Sequence, residues 1–180
     1  MFDQTVADLV GRRISSVVYW DLPPFDDEPS DWDYGTWHHV VMGIELETDR
    51  GPVSLRWTDT FWPYGIEAFF TPMPELLRDG CTKRDVTAAE RLDIALGGPI
   101  RAASTHWERF NLENPWPGQE ATFDVPLGIR LDFDSGSVWV IIGIPQPPDM
   151  SDVFTPGDEL MVVFEPARVR EIGFPEDFVA

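Results

Sequence analysis

The sequence predicts an α+β fold, mainly antiparallel β, in which two tandem diverged helix–strand–hairpin repeats pack as a sandwich or a partly open barrel. Three features carry this expectation. Short runs alternate apolar with polar residues and end in glycine-containing turns. Four blocks of the first half recur, in the same order, in the second. Each recurring unit opens on a short stretch of helical spacing that stops at glycine.

The blocks are specific. Gly43-Ile44-Glu45-Leu46-Glu47 recurs 85 residues later as Gly128-Ile129-Arg130-Leu131-Asp132, and at the same offset Gly51, Val53 and Leu55 meet Gly136, Val138 and Val140. Phe70-Thr71-Pro72 with Glu75-Leu76 meets Phe154-Thr155-Pro156 with Glu159-Leu160 at an offset of 84. Ile14 meets Ile100 at 86, and Trp20 meets Trp107 at 87. Self-similarity at one period marks a repeated unit, and small drift is what loop-length changes produce. The boundary falls at Asp85 to Thr87, giving copies 1–85 and 86–180. A unit of that size with open strand edges is marginal alone, so the two are expected to form one compact body.

Taken in order, Asp3 to Val10 reads as a helix with Val6, Leu9 and Val10 on one side, closed by Gly11. Arg12 to Trp20 reads as a strand. Ile44, Leu46 and Thr48 alternate with Glu45, Glu47 and Asp49. After Asp49-Arg50-Gly51, Val53, Leu55 and Trp57 alternate with Ser54 and Arg56, which together make a hairpin. In the second copy Thr87 and Glu90 are spaced as a capping box for a helix over Ala88 to Leu96, stopped by Gly97-Gly98. Pro99 to Trp107 is the matching strand. Ile129 to Phe133 and Ser137 to Gly143 form the matching hairpin around Asp134-Ser135-Gly136. Its return strand is apolar on both faces, the mark of a strand that is central or covered by another layer. Glu159 to Phe164 and Ala167 to Gly173 read as two further strands with Pro166 near their turn.

Charge bounds the partners. The chain holds 32 acids and 13 bases, a net of −19; Lys83 is the one lysine. Residues 1–85 carry 16 acids and 7 bases, and residues 86–180 carry 16 and 6, so acidity is distributed and not a tail. Such a chain repels nucleic acid and anionic membranes, and neither is expected as a partner. The lysine-poor composition also fits a GC-rich bacterial genome, and acidity fits a high-salt cytoplasm. The start, Met1-Phe2-Asp3-Gln4, has neither the basic nor the apolar segment of a secretory signal, and no apolar run nears the roughly 20 residues that span a bilayer. Together with the single Cys81, this predicts a reducing, cytoplasmic setting. No base is specified beside Cys81, so it reads as a plain loop or semi-buried thiol.

Chemistry-bearing motifs are sparse. There is no HExxH, GxSxG, GxGxxG in strand–turn–helix context, or Walker-type loop, so no catalytic set, metal site or cofactor is nominated. Adjacent His38 and His39 point to opposite faces of a strand and cannot share one metal, although His106 of the second copy could approach either. Asp132 and Asp134 lie on one strand face as acid–base work requires, but Arg130 beside them fits a solvated face equally. The loops differ most between the copies. The first, Asp21 to Thr36, places Asp26, Asp27, Glu28, Asp31 and Asp33 around Trp32 and Tyr34, with Trp37 following. The second, Glu108 to Pro126, contains Trp116, and a third irregular stretch runs from Pro145 to Pro156.

Aromatic anchors ringed by carboxylates suit an Arg- or Lys-rich protein surface. The same loop also reads as a solvated acidic segment whose tryptophans pin it to the core. The function expected from sequence is a non-enzymatic acidic binding module, an inhibitor or immunity-type protein that occludes a basic partner. Trp32 would be its main anchor. The alternative is a small-molecule-binding protein or hydrolase with a pocket between the repeats, lined by Trp20, His106, Trp107 and Asp132.

Overall fold

The computed structural model describes residues 2–23, 31–111 and 121–180. The first half supplies α1 (Phe2–Ala7), β1 (Ile14–Asp21), β2 (Trp37–Val40), β3 (Gly43–Thr48), β4 (Val53–Thr58), β5 (Gly65–Phe69), α2 (Met73–Leu76) and β6 (Thr82–Asp85). After a 3-10 turn at Glu90–Leu92 come α3 (Asp93–Leu96), β7 (Ala102–Asn111), β8 (Thr122–Phe133) and β9 (Gly136–Ile142). The chain ends in β10 (Ile144–Gln146), β11 (Asp152–Phe154), β12 (Leu160–Val163), α4 (Pro166–Ile172) and α5 (Glu176–Val179).

The fold is mainly antiparallel β with few and short helices. One five-stranded sheet has the order β5-β4-β3-β1-β6 and a second the order β2-β12-β9-β8-β7; β10 and β11 pair separately. Neither large sheet closes into a barrel. The alternation expected of β3 is present, with Ile44, Leu46 and Thr48 buried and Glu47 exposed. Its hairpin to β4 turns at Gly51, whose φ of +95° a side chain would disfavour. β9 lies between β8 and β12 with Val138 to Ile142 all buried, as its two apolar faces require. One continuous buried cluster takes in both sheets, including Tyr19, Ile44 and Leu55 from the first and Ile129, Trp139 and Val162 from the second. A void of about 20 Å³ remains between them, lined only by apolar residues and Tyr19, so packing there is close to complete.

β2 is one of the elements that tie the halves together. It leaves the first half and pairs with β12, with Trp37 opposite Val163 and His38 opposite Val162. The four β2 residues are therefore seated in the sheet built otherwise by residues 102–163.

Several local expectations are corrected. The stretch Ala167 to Gly173 is not a strand but lies in helix α4 and its cap. Pro166 sits in the first turn, where its missing N–H leaves no helical bond unmade. Gly173, at φ +105°, ends the helix by donating its N–H to the Arg170 carbonyl. Gly173→Ala is expected to cost about 1 kcal/mol in a urea melt, since an L side chain resists that φ even in the open space present. The Thr87 capping box does not form either. Thr87 Oγ1 instead accepts the Val17 N–H at 3.0 Å, while its own N–H goes to Asp85 Oδ1 at 3.0 Å. The stretch from Glu108 to Pro126 is mostly strand in its described part. β7 runs on to Asn111 and β8 starts at Thr122, joined by an Arg109–Asp124 ion pair of 2.7 Å. Finally, Glu75-Leu76 lies in helix α2, whereas the corresponding Glu159-Leu160 leads into strand β12.

Candidate functional site

β2 and the turn before it build the most organised polar site. Strand alternation sends His38 inward and His39 to the other side. The His38 ring, 1% exposed, meets the Tyr19 hydroxyl through Nδ1 at 2.8 Å. Trp32 and Phe164 stand edge-on to it, with ring centres 4.8 and 4.7 Å away. Nε2 faces Asp33 Oδ1 at 3.6 Å. The consistent proton assignment has Tyr19 O–H donating to Nδ1 and Nε2–H turned toward the carboxylate. Burial, then Asp33 and Asp21, hold the Tyr19 hydroxyl well above its ordinary pKa, so it keeps its proton. Burial lowers His38 to about 4 against the pull of Asp33, so it is neutral near pH 7.

The segment from Asp31 to Thr36 is stapled over this core. Tyr34 stacks on Trp37 at 4.2 Å and 7° from parallel. Tyr34 N–H donates to the Trp37 carbonyl at 3.0 Å and His39 N–H to the Trp32 carbonyl at 2.7 Å. Asp33 Oδ1 accepts the Gly35 N–H at 2.9 Å. Arg84 lies 5.2 Å over Trp32, and Arg168 lies 5.7 Å over Trp37. The rings thus face the body, while Asp31 and Asp33 are exposed. Trp37 is buried, and Trp32 and Tyr34 are half-buried, so they hold the turn more than they project from it. Tyr19 and His38 are closed beneath these rings; their chemistry orients the turn and offers no reacting atom to a substrate. Asp26, Asp27, Glu28 and Trp116 lie outside the described residues.

The remaining candidates are dispersed. His39 Nε2 pairs with Glu159 Oε2 at 2.7 Å. His106 packs against Phe174 and Phe178 and lies 3.3 Å from Glu108 Oε2. It does not approach His38, because β2 and β7 are the two opposite edges of one sheet, four strand spacings or roughly 19 Å apart. His106 and Glu108 line a cavity of about 310 Å³ with Leu127, Thr155 and Phe174. Trp107 faces another depression and donates its Nε1–H to Asp3 Oδ1 at 3.0 Å. Asp132 is engaged by Arg130 at 2.7 Å and by the Ser137 hydroxyl at 2.6 Å. Trp20 lies on β1 of the other sheet, its Nε1 buried without a hydrogen-bond partner among the described residues. These four side chains therefore do not line one pocket.

Sequence reasoning missed a cleft of about 580 Å³ on the first sheet, between the end of β4, Leu22–Pro23 and the turn from α2 to β6. Arg56, Trp57, Arg78 and Cys81 are among its lining residues. Arg56 and Trp57 were legible only as alternating strand residues, and the turn that brings Arg78 and Cys81 to them leaves no local pattern. No group of three or more His, Cys, Asp or Glu side chains among the described residues is placed to hold a metal. No helix among them is long and apolar enough to cross a membrane. Comparison with protein-family models, with curated proteins and with solved structures finds no match to this chain.

Proposed function

We propose that this chain is a non-enzymatic acidic binding module, an inhibitor or immunity-type protein, that docks a basic protein partner through the face carrying Asp31 to Thr36. One observation carries the reading: rings fix the turn from below while Asp31 and Asp33 are exposed on it. Preorganised carboxylates bind with less ordering cost than mobile ones, and the −19 body accelerates encounter with a cation-rich surface. Trp32 contributes through the seating of the turn. A bacterial cytoplasmic setting belongs to the same reading, supported by the lone thiol.

The order of pairing, β1-β3-β4-β5 in one sheet and β7-β8-β9-β12 in the other, supports descent from a duplicated unit. The buried cluster shared by the sheets supports a sandwich-like arrangement. The reading is tested by affinity capture on the tagged chain, followed by association kinetics with the captured protein. A basic partner is expected, associating about tenfold more slowly when salt rises from 50 to 200 mM, both round values. A captured partner of net negative charge, or salt-independent association, contradicts it.

A second reading, a small-molecule-binding protein or hydrolase, draws on the His106–Glu108 pair in its cavity. All the residues named there come from the second half, so the pocket would not lie between the repeats.

A further inference from the structure

We propose that the cleft formed by Arg56, Trp57 and Arg78 binds a small monocarboxylate with a flat apolar body. Its volume of about 580 Å³ suits a small organic molecule. Leu22, Met42, Trp57 and Leu76 supply apolar wall. Arg56 is fixed in that wall: Nε donates to the Trp57 carbonyl at 3.1 Å, Nη1 to the Leu76 carbonyl, and its guanidinium lies 5.6 Å from the Trp57 ring centre. Both anchoring bonds use backbone acceptors, which leaves Nη2 without a hydrogen-bond partner among the described residues.

Ion pairs are distributed unevenly between the two halves. All six arginines of the second half, Arg91, Arg101, Arg109, Arg130, Arg168 and Arg170, contact a carboxylate. None of the six arginines of the first half makes such an ion pair among the described residues, and of these Arg56 and Arg78 line the cleft, Arg56 held there by backbone acceptors alone. Burial also lowers the Arg56 pKa, against the pull of Asp59, Cys81 and Glu67. A half-buried guanidinium lacking its own carboxylate is completed well by a ligand's carboxylate, which matches the fork of its donors. Asp59 and Asp79 also line the cleft and balance its two cations. That balance favours a singly charged anion over a phosphate ester, whose second charge would meet both carboxylates.

Cys81, the single cysteine, lines the same cleft and reports its occupancy without any assay of activity. Alkylation by neutral iodoacetamide is followed by mass spectrometry in the presence of phenylacetate, phenylacetamide or phenyl phosphate. Phenylacetate at about ten times its Kd is expected to slow alkylation about tenfold, with the other two compounds giving less than about twofold protection at the same concentration. Arg78 is exposed, so Arg78→Gln is expected to fold with an unchanged melting temperature and to lose most of the protection. Arg56→Lys, which keeps the charge and loses the fork, is expected to weaken it as well. No protection by phenylacetate up to about 10 mM, equal protection by the amide or the phosphate, or protection that survives both substitutions overturns the proposal.

Discussion

Between pH 6.5 and pH 4 the protein is expected to lose up to about 3 kcal/mol of stability through His38 alone. The folded-state pKa of about 4 lies below the ordinary 6.5 because the ring is buried among Tyr19, Trp32 and Phe164. In that window the unfolded chain takes up a proton that the folded chain excludes, so acid favours unfolding. The contribution is fully present above pH 6.5, falls as pH drops, and stops changing below pH 4. Carboxylates titrate over part of the same range, so the comparison is with His38→Asn, whose amide can still accept from the Tyr19 hydroxyl. Urea unfolding of both proteins at pH 7 and pH 4.5 should show the wild type losing about 2–3 kcal/mol more than the variant. Equal losses would mean that His38 does not titrate as its burial requires.

The largest single-residue effect is expected at Trp139. Its ring is 1% exposed in the central strand of the second sheet, and its Nε1–H donates to the Phe178 carbonyl of α5 at 3.0 Å. Arg130 lies 5.5 Å from the ring centre. Trp139→Ala removes this volume from a close-packed core and should cost about 3–5 kcal/mol. Trp139→Phe keeps much of the packing but loses this hydrogen bond, leaving the Phe178 carbonyl to Arg130 Nη1 at 3.3 Å, for about 1 kcal/mol. Equilibrium denaturation checks both, and an alanine variant within about 1 kcal/mol of wild type would remove Trp139 from the core account.

The β-structure was legible wherever side chains alternate over one buried face. The two hairpins around Gly51 and Gly136 follow from local pattern alone, and the two apolar faces of β9 allow either the central place it takes or a covered one. What local pattern does not carry is partner choice between distant strands. Nothing in Trp37-His38-His39-Val40 announces pairing with Leu160 to Val163, more than 100 residues on. The helix at Pro166 is ambiguous in sequence because Val169 and Ile172 suit a strand equally, and only the Pro and Gly at its two ends decide. At the site, Trp32, Tyr34 and Trp37 were identified as anchors beside Asp31 and Asp33, but the buried Tyr19–His38 pair beneath them depends on β1 and β2 meeting across two sheets. The Arg56 cleft was invisible for the same reason: Cys81 lies 25 positions beyond it in the chain.

The central claim, that the fixed acidic turn is the docking face, is tested most directly by parallel capture on wild type and on a double variant, Asp31→Asn with Asp33→Asn. Asparagine preserves the side-chain acceptor for Gly35 and removes both charges, so the turn keeps its shape. At low salt the wild type is expected to recover one basic protein in near-stoichiometric amount. The variant should recover about tenfold less of it, corresponding to a loss of about 1.4 kcal/mol. Equal recovery of that protein by both would contradict the account and move its contact to another surface of the molecule.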